Sequence, residues 1–544
     1  MNKKFDLYPT RGSFEPGMPI AFRIQNLGSA TNVVLHVSSI DGLTFECSAA
    51  IEEGMPIVTI SEHRFGPGGY GVKAQFCING VTLATCFTAF DVAPAGKVIR
   101  YGFLCDFTPE NGQDTDIEAM ARMHINAVQF YDWSYRHDDF VSPTPDYTDM
   151  MGKHNNLTII RKKIQQCRSH GMLTLAYGAV YAASEAYQKR HPDQSLYNGA
   201  GEPICFINTF YIMNLEREAG WHNHILEQYQ HAINDVGFDG IHMDTYGAPK
   251  FAFDSQGRAI YLCDEFPKLI ESAHLISTES RKTPFLMFNN VGGWPASRTM
   301  LTSQQAVYIE VWPPCTRYRH LGALISEARN SRKPVVLAAY PAPFRTDAPE
   351  RALECQLFLS FVIGMYGATQ LFFGEENAVI TQGYYVDYTK LNDEQLEWIR
   401  VYQDFFVQYE TLLMDDTMED VSMTHQGWDN HEYAFSPEGS ADGEDGKIWF
   451  HLRQNRKRKA IYIVNLLNNN SLWNEGKIKP CKMETVTMQV QVMSKPNDVW
   501  FASPDQVHGQ RRHLPYQLLK TEQGLVVCAE VQVLRCGVIV VEGG

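Results

Sequence analysis

The chain has 544 residues, 44% of them hydrophobic, which is enough for a sizeable core and more than one domain. Its formal charge of −15 argues against nucleic acid or an anionic membrane surface as partner and leaves a neutral substrate as the better fit. No stretch approaches the roughly 20 apolar residues of a membrane span.

Residues 1–95 carry short alternating runs punctuated by Gly and Pro, such as MPIAFRIQN (18–26), TNVVLHVSS (31–39) and GGYGVKAQFCING (68–80). This spacing predicts a β-sandwich of immunoglobulin-like size. Lys3 and Lys4 would suit the start of an export signal, but no apolar run follows them. As written, the chain is expected to stay in the cytoplasm; one trimmed of a leader would be secreted and would read the same.

From 96 to 417 the pattern changes. Eight apolar segments alternate with amphipathic helical ones: IRYGFLCDF, INAVQFYDW, MLTLAYGAVY, GIHMDTYG, PFLMFNNVGG, AVYIEVWPP, PVVLAAYPA and TQLFFGEEN. The helical stretches include DTDIEAMARM, REAGWHNHILEQYQHAINDV and LGALISEARNSRK. Eight such units predict a central (β/α)8 TIM barrel. A doubly wound open sheet would usually have fewer strands, and no glycine-rich phosphate fingerprint follows any of them. A short ordinary helix is expected between the seventh and eighth strands. Residues 418–544 return to strand patterns, among them EYAFSP, KIWFHLRQ, KAIYIVNLL, TVTMQVQVM and CGVIVVEGG, and predict a C-terminal β-sandwich. Within it, SPEGSADGEDGK (436–447) and RKRK (456–459) read as hairpin tips. The 12 cysteines form no C-x-x-C pair and mostly lie in apolar runs, so buried free thiols are expected.

Barrel chemistry sits at the C-terminal ends of the strands. The fourth segment places Asp244 there, on one face with His242 and Gly240; capping of the following helix is the competing reading. The sixth places Glu310 between Ile309 and Val311, sharing a face with Tyr308 and Trp312. A carboxyl among aromatic groups should have a raised pKa, as a general acid needs, although an ion pair with an arginine would also hold it. Two carboxyls flanking one bond are the requirement of glycoside cleavage. His242 is the one strand histidine near this rim, which argues against metal chemistry, and no strand end offers a Schiff-base lysine. No cofactor is called for. Candidate sugar contacts at the same rim are Tyr131, Asp132 and Trp133, then Tyr177, Asn289, Tyr340 and Glu375, with His242 and Trp312 beside the carboxyls.

The segments QFYDWSYRHDD, AYGAVYAA, FDGIHMDTYG and VYIEVWP, in this order, resemble glycoside hydrolase family 66, which holds dextranases and cycloisomaltooligosaccharide glucanotransferases. The resemblance spans about 98–415, with FDGIHMDTYG and YIEVWP its specific parts. It implies a retaining double displacement on an α-1,6-glucan, dextran or an isomalto-oligosaccharide, with Asp244 as nucleophile and Glu310 as acid/base. It also places Tyr131, Asp132 and Tyr177 around the sugar nearest the cleaved bond. Cyclising members carry an inserted carbohydrate-binding module, and none is seen here between the seventh and eighth strands, which favours hydrolysis. A glucanotransferase and a catalytically silent glucan-binding protein are the alternatives. The sequence does not set the oligomeric state.

Overall fold

A computed structural model describes residues 5–26, 28–51, 56–61, 65–277, 283–427, 429–522 and 524–543; Lys3 and Lys4 lie outside them. Each of the eight predicted segments holds a strand: β1 Tyr101–Leu104, β2 Ala127–Phe130, β3 Leu173–Ala179, β4 Gly240–Asp244, β5 Phe285–Val291, β6 Ala306–Glu310 and β7 Val335–Ala338. The eighth, β8, is split into Thr369–Gln370 and Phe373–Gly374. Neighbours from β1 to β7 pair in parallel and in chain order. The first half of β8 pairs with β7, and its second half meets β1 at Phe103. The sheet therefore curls back on its own first strand as a barrel-like core. Ala378–Val379 and Thr389–Lys390 extend the same sheet to eleven strands.

These strands are apolar on both faces because both are covered. One face meets the surrounding helices; the other forms an interior cluster including Tyr101, Phe103, Leu175, Met287, Tyr308 and Leu371. The close approach of β4 to β5 requires Gly240: a Cβ there would lie 1.8 Å from the Phe285 carbonyl oxygen. Among the helices, Thr115–Arg122 buries Ile117, Met120 and Ala121, while Leu157–Ser169 is capped by the Asn156 side chain.

The helix between β7 and β8 differs from expectation. Pro349–Met365 runs 17 residues and is buried around nearly its whole circumference. It lies between the curled sheet and the C-terminal strands, and Glu354 on it takes a bidentate pair from the buried Arg535, at 2.6 and 2.7 Å. With both sides covered there is no polar face, so no amphipathic period announces it.

At the N-terminal end, a sheet of Asp6–Pro9, Ile20–Gln25 and Ile57–Ile60 shares one core with a sheet of Asn32–Ser39, Gly42–Ala50, Gly68–Ile78 and Val81–Val92. Arg100, at the foot of β1, joins this unit to the core by pairing with Asp91 at 2.6 Å and Glu410 at 2.5 Å. At the C-terminal end, sheets of six and four strands share a second core. RKRK does turn a hairpin, between Ile448–Gln454 and Arg458–Asn465. SPEGSADGEDGK does not: the strands it joins, Tyr433–Ser436 and Ile448–Gln454, belong to different sheets. Its Asp445 and Asp442 instead pair with Arg317, the N-cap of the helix Tyr318–Arg329, and with Arg319 in its first turn. None of the twelve cysteines is in a disulfide, but only five are buried, fewer than their apolar settings suggested.

Candidate active site

Alternation builds the site. On each strand every second side chain points into the curled sheet, and most of these are apolar until the last rung. There the series changes to Tyr131 after β2, Tyr177 on β3, Asp244 on β4, Asn289 on β5, Glu310 on β6 and Tyr340 after β7. A single polar layer thus lies on an apolar plug, at the C-terminal ends of the parallel strands.

The layer is tied together by hydrogen bonds. Asn289 Nδ2 donates to Asp244 Oδ1 at 2.7 Å and to Glu310 Oε2 at 3.1 Å. Those two lengths cap the separation of the carboxyl oxygens at 5.8 Å, and the roughly 120° between two amide hydrogens sets it at about 5 Å. Tyr177 donates to Asp244 Oδ2 at 2.7 Å, and Tyr340 to Glu310 Oε1 at 2.7 Å.

Burial pushes Asp244 up to about 7, with the Glu310 charge adding to it and bonds from Asn289 and Tyr177 opposing it. Burial also raises Glu310, against bonds from Tyr340, Asn289 and Trp312. Both shifts act in one direction: burial and proximity make it harder for either carboxyl to ionise while the other is charged.

The other candidate residues separate into two groups. Tyr131, Asp132 and Trp312 surround the pair. Tyr131 is half-buried and its ring stacks on Tyr385 at 4.4 Å. Asp132 takes a left-handed backbone, φ 46°, and is raised to about 7, first by burial and then by Asp149, with Asp244 adding to it. Trp312 is 40% exposed, which leaves a ring face available to a sugar.

Three other expectations are corrected. Trp133 is fully buried against Phe140 and Phe238, with its indole N–H given to the Tyr177 carbonyl, so it is a core residue rather than a sugar platform. His242 lies one rung below Asp244, 1% exposed, with Nδ1 3.2 Å from the Tyr101 hydroxyl and Nε2 4.0 Å from Asp244. Burial drives its pKa down to about 3, so it is a neutral support beneath the site and not a sugar contact. Glu375 is 1% exposed, accepts from the Cys105 amide and thiol, and lies 3.6 Å from the buried Lys163 ammonium. Its lone pairs are used within the fold. Cys105, Asp106 and Glu375 do bring three ligand-type atoms within 4.8 Å, but the Lys163 cation already answers their charge.

Of the further strand-end residues, Asn290 is spent on the Phe288 and Tyr308 carbonyls, and Tyr181 packs below Tyr246. Sequence reasoning missed the residues that loops carry back to the site. Tyr246 stacks face to face on Phe206 at 4.3 Å, and its hydroxyl lies 3.4 Å from His137 Nδ1. Gly383 and Tyr385 come from the loop after β8; a Cβ on Gly383 would sit 3.3 Å from Glu310 Oε1. Only the three tyrosines in ITQGYYVDY, directly after the eighth segment, offered a signal.

The sequence pattern of Glycosyl hydrolase family 66 matches residues 29–536. The chain belongs to glycosyl hydrolase family 66. Within family 66, it is 29% identical over 301 residues to a cycloisomaltooligosaccharide glucanotransferase from Niallia circulans, covering 50% of this chain and 30% of that protein. It is 20% identical over 462 residues to a dextranase from Streptococcus salivarius, covering 72% of this chain and 55% of that one. The matched stretches thus span about a third to a half of these relatives. A crystal structure of a Paenibacillus sp. cycloisomaltooligosaccharide glucanotransferase, complexed with cycloisomaltoheptaose, superposes with a TM-score of 0.88 at 18% identity, covering 99% of both chains. At that identity the likeness is one of fold: several β-rich domains around a barrel-like core.

Proposed function

We propose that this family 66 chain is a retaining glycoside hydrolase that cleaves α-1,6-glucosidic bonds in dextran or isomalto-oligosaccharides, in the manner of an endo-acting dextranase. The observation that carries the mechanism is the Asn289 bridge. A carboxyl spacing of about 5 Å suits a nucleophile and an acid/base on one bond, and leaves too little room for the water that an inverting enzyme places between them. In this reading the curled sheet is a (β/α)8 barrel flanked by two β-sandwiches, with domains at 1–95, 96–417 and 418–544.

Asp244 Oδ, ionised, attacks the anomeric carbon while Glu310, in its protonated form, gives its proton to the departing oxygen. The C–O bond to the leaving chain breaks as the Asp244 ester forms. Glu310, now ionised, takes a proton from water, and that water displaces Asp244 with a second inversion, so the configuration is retained. One negative charge passes from Asp244 to Glu310 and back, and Asn289 donates to whichever carboxyl carries it. Tyr131 and Asp132 would hold the sugar bonded to Asp244, and Trp312 would offer its exposed face to a neighbouring glucosyl unit.

The names of the relatives support an α-1,6-glucan substrate and equally support a second reading, transfer to a sugar acceptor with cyclic or lengthened products. The missing insertion does not decide between the two, since 99% of a cyclising enzyme's chain aligns with this one. Dextran digestion with products resolved by mass tests both. Linear isomalto-oligosaccharides support hydrolysis, cyclic or longer products support transfer, and retention of dextran without bond cleavage would leave a glucan-binding protein. Asp244→Asn and Glu310→Gln should each lower turnover by several orders of magnitude in a folded protein, and proton NMR should show the α-anomer first. Near-normal activity in either variant, or a β-anomer, would refute the mechanism.

A further inference from the structure

Taking Glu310 as the acid/base, we propose that Tyr385, on the loop after β8, is a positioning residue that acts through Tyr340 to hold the Glu310 carboxyl and to set the pH at which it gives up its proton. The loop 380–388 is anchored at both ends, because Ala378–Val379 pairs with Phe373–Gly374 and with Thr389–Lys390. From this base it dips into the mouth of the curled sheet. Tyr385 is 3% exposed and joins the interior cluster, with its ring stacked on Tyr131 at 4.4 Å and edge-on to Tyr340.

The hydroxyls form a line. Tyr308 and Tyr385 lie 3.0 Å apart, Tyr385 and Tyr340 3.3 Å, and Tyr340 and Glu310 Oε1 2.7 Å. Each phenol has one hydrogen. Tyr340 spends its own on Glu310, so in a continuous line its oxygen accepts from Tyr385, whose oxygen in turn accepts from Tyr308. In that arrangement all three hydrogens point towards the carboxyl. Such a chain polarises cumulatively, and each donor strengthens the next bond.

Among the described residues, the remaining neighbours of Glu310 supply no cation. Asn289 bridges to Asp244, Trp312 lies alongside, and Gly383 backs onto Oε1. On the far side of Tyr308 stands His242, edge-on at 4.7 Å and uncharged, with Tyr101 beyond it. Around Tyr385 the other facing groups are Tyr131 and Phe103. Hydrogen bonds therefore offset the burial of the Glu310 carboxylate, and the one from Tyr340, at 2.7 Å, is shorter than the one from Asn289, at 3.1 Å.

Removing the Tyr385 hydroxyl should make Glu310 keep its proton to higher pH. The test is kcat/KM for dextran against pH in Tyr385→Phe, Tyr340→Phe and the double variant. The alkaline limb is expected to rise by about 0.1 to 0.7 pH unit in Tyr385→Phe and by about 1 to 2 in Tyr340→Phe. The double variant should match Tyr340→Phe, since Tyr385 acts only through it. Tyr308→Phe, at the far end of the line, should give a smaller shift of the same sign and serves if Tyr385→Phe folds poorly. A fall in activity with the limb unmoved, or additive shifts in the double variant, would overturn the proposal. Infrared titration of the carboxyl band, by difference against Glu310→Gln, reads the same shift without substrate. If that band moves while dextran is not cleaved, the substrate reading fails and the tyrosine line stands. If dextran is cleaved and neither readout moves, the line fails.

Discussion

Asn289→Ala removes two hydrogen bonds at once, and the structure says how the loss should appear. One bond falls on Asp244 and the other on Glu310, at 2.7 and 3.1 Å. In the proposed mechanism the negative charge is on Asp244 before glycosyl transfer and on Glu310 afterwards. Asn289 serves both states, so its electrostatic contribution largely cancels between ground state and transition state. What remains is geometry. Without the bridge the two carboxyls lose the group that fixes their separation, and a displacement near 1 Å costs about 100-fold in rate. The pH dependence carries the electrostatic part. Each ionised form loses a bond to a charged group, about 1.5–3 kcal/mol, so both limbs of the profile should rise by about 1 to 2 pH units. Initial rates of reducing-end release from dextran, followed across pH, measure both effects. A shift in both limbs with kcat down about 100-fold and KM nearly constant is expected. Unmoved limbs, or a loss as large as that of Asp244→Asn, would refute the bridge as the element that holds the pair.

The raised Asp244 has a stability consequence of definite sign. Its folded pKa, about 7, exceeds the ordinary 3.8, so its protonated form stabilises the fold at low pH and that contribution is lost as pH rises through 7. Asp244→Asn should therefore raise Tm by a few degrees at pH 8 and leave it unchanged at pH 4; thermal unfolding at the two pH values checks this, and an equal gain at both would contradict it. Glu354→Gln removes one of the two carboxylates on the buried Arg535 guanidinium, Asp505 at 2.7 Å being the other; a loss of up to about 3–5 kcal/mol should lower Tm by about 3–4 °C in calorimetry. Trp133→Phe should lower Tm without changing KM, whereas Trp312→Ala should raise KM for dextran severalfold and leave Tm nearly unchanged. The opposite pattern would reverse the roles given to these two tryptophans.

The eight strands were legible because each is a short apolar run ending in a polar residue, and that ending also marked Asp244 and Glu310. Alternation placed Tyr177, Asn289 and Tyr340 on the same rung. It could not tell a last rung from the residue just beneath it, which is why His242 was taken for a contact. Trp133 and Glu375 were misread for a related reason: their strand-end position is real, but burial and internal partners decide what a side chain can reach, and neither is encoded in local spacing. Tyr385, Gly383 and Phe206 were hidden because loops bring them back over the rim, and loop paths follow no period. The strand Tyr516–Thr521 was missed because it is largely exposed and offers little apolar contrast.

The buried helix Pro349–Met365 bears on how this protein can be divided. An ordinary barrel helix shows one face to solvent, so an appended module could be removed without exposing it. Here the outer face of the helix is the inner wall of the C-terminal sheets: Cys355 donates its thiol to the Trp473 carbonyl, and Glu354 holds Arg535. Cutting the chain near 418 would bare a hydrophobic cylinder and leave Glu354 without its partner. The curled sheet and the C-terminal sheets therefore make a single unit of inheritance and of engineering. Grafting the proposed site onto another scaffold, or trimming the chain to a minimal form, requires taking both or redesigning the helix between them.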